Sequence, residues 1–465
     1  MTSENDPNAR VTFPDVPALA KGTVTLPTME TLTRQQLYPD AVALAMAQAR
    51  ARKTRVVITG MGAITPLGLT PEEFWQNLLA GKCGIGPVTL FDASRYKTRI
   101  AGEVKNFDPT KYVDAKDARR MGRATLFALA AAKNAIADAG LGENLKEDSR
   151  AGVLVGTALG GFVEAIEAHN LFLQKGPDRV SPFLPAVILP NMPSFYLAER
   201  YRARGYNSTV VTACAAGTHA IGEAADFVRH GHADTMLAGG ADAVISEIVY
   251  AAFGVMRAMS TRNDDPEHAL RPFDKNRDGF IVGEGAAIVV LERLENALAR
   301  GARIYAEVLG YATNSDAYHF AAPDPEAVGA TSVMRTAMQN AGITPDQVDY
   351  INAHGTSTPL NDAAETLAIK KAFGERAYKI PISSTKSMIG HSMGAAGAFE
   401  AVACAMTLRD QKIHATVNYE TPDPACDLDY VPNVARNAKV DILLSNSFGL
   451  GGQNACLVLS RYKEK

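Results

Sequence analysis

The chain reads as an α/β protein built from two similar halves behind an N-terminal arm. Helical and strand patterns alternate from Arg55 to Ser460, which implies an α/β fold with largely parallel sheets. A strand, a sharp elbow and a helix then recur weakly in the second half, the mark of a duplicated unit.

Residues 1–52 are the arm. They hold Pro7, Pro14, Pro17, Pro27 and Pro39 and no strand of useful length. A signal peptide's apolar core is missing, and Glu4, Asp6, Asp15, Glu30 and Asp40 are too many acids for a transit peptide. The stretch reads as an extended segment with a helix over about 40–51, or as a partly disordered tail. The first half covers 53–303. It opens with a strand at 55–59 and a turn at Gly60-Met61-Gly62. An alanine-rich helix over 124–139 is closed by Gly140, and a buried strand follows at 152–156. The apolar run Val210-Val211-Thr212-Ala213-Cys214 stops abruptly and becomes a helix over 216–230, with further strands at 233–239 and 285–291. The second half covers 304–465. Its RTAMQNAGI at 335–343, before a strand at 348–353, repeats AAKNAIADAGL at 131–141, before the strand at 152. The segment around His391, with a helix over 395–408, repeats the Cys214 elbow. Cys214 therefore falls on one half and both His354 and His391 on the other, at strand ends, where α/β folds bind ligands.

Composition bounds the rest. With 465 residues, 47% of them hydrophobic, the chain can bury a large core. A net charge of -3 gives no global footprint for nucleic acid or membrane, and no apolar run reaches spanning length. Cys83, Cys214, Cys404, Cys426 and Cys456 are an odd set with no CxxC pair. That argues for a reducing, cytoplasmic setting and against a disulfide framework or thiolate zinc site.

One thiol and two imidazoles, each beside glycine at an element boundary, point to a nucleophilic enzyme with carbanion chemistry. A helix N-terminus offers free N–H groups and partial positive charge, a field expected to favour the thiolate at Cys214. A merely structural cysteine would not need Ala215, Ala216 and Gly217 after it, small residues that let a substrate approach the backbone. The hydroxyls of Thr356, Ser357 and Thr358 argue for a polar pocket at His354. Lys386 lies five residues before His391, too far for one helical face, so a loop must bring them together.

These three segments resemble the Cys-His-His set of the β-ketoacyl-acyl carrier protein (ACP) synthases of the elongating type, with the synthase II group most similar. The likeness runs from about Arg55 to Arg461. It includes GMGAITPLG at 60–68, RPFDKNRDGFIVGEG at 271–285, NSDAYH at 314–319 and NSFGLGGQN at 446–454. His391 favours the elongating class, because synthase III enzymes carry Asn in place of the second histidine. The resemblance implies a thiolase-like duplicated αβαβα layered fold, a homodimer, and ACP-borne acyl and malonyl substrates. It implies that Cys214 carries the acyl group. The N–H groups of Cys214 and Leu450, the latter in the loop Gly449, Leu450, Gly451 and Gly452, would hold the oxyanion. His354 and His391 would stabilise the enolate. Lys386 would orient His391, with Glu400 balancing its charge, and Thr356 and Thr358 would hold the phosphopantetheine arm. Acidic ACP would dock on Lys116, Arg119, Arg120, Arg179 and Arg257, a steering patch of cations. No metal or organic cofactor is called for, since loss of CO2 drives the condensation.

Two residues depart from that family's pattern: Leu450 stands where a phenylalanine usually gates the acyl pocket, and Gln453 where threonine is usual. The unusual gate and the N-terminal arm keep a stand-alone polyketide ketosynthase in play. A non-catalytic chain-length subunit typically lacks the active cysteine, which Cys214 supplies here. A degradative thiolase is disfavoured, because Cys456 sits on a strand pattern. Asp274–Gly279 opens like an EF-hand loop, but position twelve is Gly285 and not a bidentate Glu, so the loop reads as structural.

Overall fold

The computed structural model describes residues 54–464 apart from 143, 144 and 146–149, so the arm of residues 1–52 and its helix over 40–51 lie outside the described residues. Ten strands make one sheet. They are β1 (Val56–Ile64), β2 (Ala151–Gly156), β3 (Asn207–Val210), β4 (Thr235–Asp242), β5 (Gly285–Arg293), β6 (Ala306–Ser315), β7 (Tyr350–Asn352), β8 (Ile382–Ser383), β9 (Ile442–Gly449) and β10 (Gln453–Ser460). Their order is β8-β7-β9-β10-β6-β1-β5-β4-β2-β3. From the centre outward one set runs 1-5-4-2-3 and the other 6-10-9-7-8, the same permutation twice. The sets meet where Val57 pairs with Glu307 and Ile58 with Ala306.

The expectation of largely parallel sheets needs correction. β2 pairs in parallel with β3 and β4, and β7 with β8 and β9. The five pairings nearer the centre are antiparallel. Helical crossovers make the outer strands parallel, and those crossovers are what the alternating pattern reports. β9 and β10, by contrast, are joined by a tight turn, which reverses the chain.

Five helices complete the layers: α1 (Arg123–Asp138), α2 (Ala216–Arg229), α3 (Val328–Ala341), α4 (Pro359–Phe373) and α5 (Ala396–Asp410). α1 packs on β1 and β5, and α3 on β6 and β10, while α2 and α5 touch both five-stranded sets and each other. The result is α-β-α-β-α. Every residue of α5 from Ala396 to Leu408 is buried, as befits a helix in a central layer. Among the described residues no helix is long and apolar enough to cross a membrane.

Gly60-Met61-Gly62 is not the expected turn, because β1 continues through it. A Cβ at Gly60 would lie 2.3 Å from the Ala135 carbonyl oxygen, and one at Gly62 1.8 Å from that of Ala131. These glycines let α1 lie directly on the strand. Glycines also bring the central helices together. A Cβ at Gly217 would stand 2.8 Å from the Ala398 nitrogen, and one at Gly397 2.0 Å from Thr218 Oγ1. That close approach draws the two elbows against one another.

Candidate active site

Cys214 occupies a 3-10 turn, Ala213–Ala215, between β3 and α2, with Ala213 in the left-handed region at φ 47°. The thiol is half-buried. Burial pushes it up, and Asp242 adds to the rise. The Leu450 N–H, the Lys386 charge and the N–H of Cys214 itself pull it back. The expected thiolate is therefore corrected. At rest desolvation outweighs the field of the helix start, and the group is held as a thiol. The amides of Cys214 and Leu450 do converge on the sulfur. Gly451 and Gly452, at φ 91° and 74°, give the turn its shape, and the segment at 314–320 backs it. Asp316 N–H donates to the Gly452 carbonyl at 2.8 Å, and Gly451 N–H to that of Phe320 at 2.8 Å.

His354 follows β7. Its N–H and that of Gly355 donate to the two oxygens of Glu365 on α4, at 2.9 and 2.8 Å. His391 is fixed through its own backbone, donating to the Ile281 carbonyl at 2.7 Å and accepting from Gly283 N–H at 2.9 Å. The two rings stand 5.5 Å apart at 85°. Both are buried, and burial together with the Lys386 charge holds both well below the usual histidine range, so both imidazoles are neutral near pH 7.

Lys386 starts a four-residue helix, Lys386–Ile389, and Gly390 at φ 78° turns the chain into His391. Its ammonium reaches His354 Nδ1 at 3.4 Å, and Glu400 on the other side. The expected orientation of His391 by Lys386 thus needs correction: the lysine holds His354. An ammonium only donates, so Nδ1 accepts and the ring proton stays on Nε2. Burial pushes Glu400 up and Lys386 pulls it back. Thr356 and Thr358 lie together, their hydroxyls 3.0 Å apart.

The five cations are less concentrated. Arg120 lies 4.4 Å over the Phe183 ring, which joins the segment of Lys116 and Arg119 to that of Arg179. Arg257 is exposed on another segment, past the helix Glu247–Val255. A cavity of about 380 Å³ beside Met121 is lined by Asp114, Asp117 and Glu199 as well as Arg200, so this face carries both signs.

Two buried carboxylates escaped the sequence reading. Asp242, at the end of β4, accepts from Thr157 Oγ1 at 2.7 Å and from the N–H groups of Ala158 and Gly394 at 2.8 and 2.6 Å. It ties the loop after β2 to the elbow after His391, and burial pushes it up to about 6. Glu365 is pushed up to about 7 by burial. An acid at a strand end and an acid in the buried stripe of a helix were the available signals.

Known proteins resemble this chain over most of its length. The beta-ketoacyl synthase N-terminal domain family matches residues 53–297 and the C-terminal domain family residues 305–420. A 3-oxoacyl-acyl-carrier-protein synthase 2 of Synechocystis sp. is 51% identical over 415 residues, covering 89% of this chain and 100% of that relative. Among solved structures, the ishigamide ketosynthase/chain length factor is 40% identical with a TM-score of 0.83, over 88% of this chain and 100% of its own. A type II polyketide ketosynthase in complex with its acyl-carrier protein is 35% identical with a TM-score of 0.81, over the same shares.

Proposed function

The chain belongs to the beta-ketoacyl synthase family and catalyses the 3-oxoacyl-ACP synthase 2 condensation of fatty acid elongation, and from that premise we propose how its residues share the work. Cys214 Sγ attacks the thioester carbon of acyl-ACP. The carbon–sulfur bond to the carrier breaks, and the thiol proton leaves with the carrier sulfur. The N–H groups of Cys214 and Leu450 stabilise the tetrahedral oxyanion, a kind of donor whose loss typically costs about 10²–10³ in rate. Malonyl-ACP then loses CO2, and its thioester oxygen becomes an enolate. His354 and His391 donate to that oxygen. The carbanion attacks acyl-Cys214, the cysteine sulfur departs and takes up a proton, and β-ketoacyl-ACP is released.

One observation carries this division of labour. A buried ammonium donates to His354 Nδ1, keeping a neutral ring with its proton on the opposite nitrogen. A charged imidazolium would trap the carboxylate of malonate, whereas a neutral donor favours the enolate formed when CO2 departs. Lys386 and Glu400 are positioning residues in this scheme, and Thr356 and Thr358 hold the carrier's arm. The halves divide at 303–304, in the connection between the helix Leu294–Ala299 and β6.

ACP docks where Lys116 and Arg119 face solvent beside half-buried Arg120 and exposed Arg179, with Arg257 nearer the helix end. A homodimer is supported by β3, which among the described residues ends the sheet with an open edge next to exposed Val211 and Phe195; such edges are normally covered. Five free thiols suit the cytoplasm.

Condensation of malonyl-ACP with a ladder of acyl-ACPs, products read by mass, tests the scheme. Single two-carbon extensions of mid- to long-chain primers are expected. Repeated condensation into a poly-β-ketone would favour the polyketide reading that Leu450 raises, and no product from a folded protein would end both. In the same assay Arg119→Glu with Arg120→Glu should raise KM at low salt, and an unchanged KM would remove the docking assignment.

A further inference from the structure

The segment at 271–285 holds His391 at its far end through Ile281 and Gly283, but its opening residues, 271–279, which begin like a calcium loop, have no role in the reaction above. Lys275 and Asn276 face solvent, but Arg271, Asp274 and Arg277 turn inward. Asp274, with no exposed surface, accepts the N–H groups of Asn276, Glu420 and Thr421 at 2.7, 2.7 and 2.6 Å. Arg277 is 8% exposed and donates in four directions. Nε reaches the Thr358 carbonyl at 3.2 Å and Nη2 that of Pro359 at 3.0 Å. Nη1 reaches the Asp274 carbonyl at 2.8 Å and Asp423 Oδ2 at 2.5 Å. Buried Asp362 stands 3.7 Å from it and accepts Phe273 N–H at 2.8 Å.

The same loop grips Ser357 from both sides. Arg271 N–H donates to Ser357 Oγ at 3.0 Å, and Gly279 N–H to the Ser357 carbonyl at 3.0 Å. Ser357 needs the grip, since its φ is 68°, a region that side-chain-bearing residues enter only at a cost in strain. It separates Thr356 from Thr358, whose hydroxyls meet because the chain turns there.

We propose that Arg277 is a positioning residue for carrier-arm binding: its fork on the Thr358 and Pro359 carbonyls, with the Arg271 and Gly279 amides on Ser357, clamps the turn that presents Thr356 and Thr358 to the pantetheine. The proposal rests on the reading of those two threonines as the arm's partners. A planar guanidinium suits the task because it reaches two adjacent carbonyls at once, while a lysine ammonium is a single point of charge. Arg277→Lys therefore keeps the charge facing Asp362 and Asp423 and removes the fork.

The test compares acylation of Cys214 by acyl-ACP with acylation by an S-ethyl thioester, which lacks the arm, and with alkylation by iodoacetamide. In Arg277→Lys, KM for acyl-ACP and malonyl-ACP is expected to rise about tenfold, the equivalent of ~1.4 kcal/mol. The ethyl thioester and iodoacetamide rates should stay as in the parent. Equal losses with all three reagents would mean a general structural role and overturn the clamp, as would an unchanged KM. Thr356→Val and Thr358→Val separate the layers. If they leave KM for the ACP substrates unchanged, the arm reading fails and the clamp with it. If they raise KM and Arg277→Lys does not, the clamp alone fails. Should Arg277→Lys not fold, Ser357→Ala removes the hydroxyl that Arg271 N–H holds. The same selective rise in KM is expected, and an unselective or absent change overturns the proposal.

Discussion

Cys214 and Gly394 occupy the same place in two copies of one backbone device. Ala213 at φ 47° and Met393 at φ 48° each open a 3-10 turn that runs into a long helix. In the first copy the next residue is a half-buried thiol facing the hairpin at 449–452. In the second it is a glycine with no room for more: a Cβ there would lie 2.5 Å from Ala158 N and 2.6 Å from Asp242 Oδ2. An elbow alone does not make a nucleophile. What faces it decides. A glycine-rich hairpin leaves space for substrate, whereas the loop held by Asp242 seals the second elbow, and His391, three residues upstream, is held through Ile281 and Gly283 instead.

The largest effect expected separates the two copies. Cys214→Ala should abolish condensation, a loss on the order of 10³ or more, with little change in Tm. Gly394→Ala should instead lose stability by about 1–3 kcal/mol through overpacking, read as a fall in Tm. An unchanged Tm for Gly394→Ala would break the comparison.

The next effect concerns charge. An unfolded histidine takes up its proton near pH 6.5, whereas folded His354 and His391 do so only well below that. Their contribution to stability is therefore present above pH 6.5 and lost as pH falls through the folded values. Malonyl-ACP decarboxylation should show no acid limb near pH 6.5. Burial is the main cause of the depression at His354 and the Lys386 charge adds to it, so in Lys386→Met an acid limb should move part of the way up toward pH 6.5 and kcat should fall. A pH profile superimposable on the parent's would show that Lys386 does not set the state of His354.

The smallest effect is at the hairpin facing the open elbow. Leu450, 42% exposed, is expected to admit a broader range of primers than a phenylalanine would. Leu450→Phe should narrow selectivity by about tenfold between extremes of the ladder, and an identical chain-length profile would leave the gate without a role.

Much of this was legible in the sequence because it is local. The Cys214 elbow, its weak repeat and the glycines flanking His354 and His391 each span a few residues, and the strands and helices followed their periodicity. What failed was long-range. Gly60 and Gly62 look like a turn until α1 is laid on them. Lys386 sits near His391 in sequence, yet it reaches His354 from another segment. The thiolate expected at Cys214 follows from helix geometry, but desolvation depends on what the whole fold packs above the thiol. Asp242 and Glu365 hold backbone amides brought to them from distant segments, which no local pattern announces.

The seam between the two five-stranded sets also sets a schedule for synthesis. β1 is made first, yet Val57 must wait for Glu307, 250 residues later. At typical elongation rates that is about 10–50 s. The other neighbour of β1, β5, emerges only shortly before, Ile64 pairing with Ala286 and Val56 with Arg293, so for most of that interval nine residues destined for full burial have no partner strand, a natural client surface for chaperones. Both histidines emerge later still. The thiol therefore leaves the ribosome well before the groups that would put it to use, and a chain cut short during translation carries a nucleophile without its machinery.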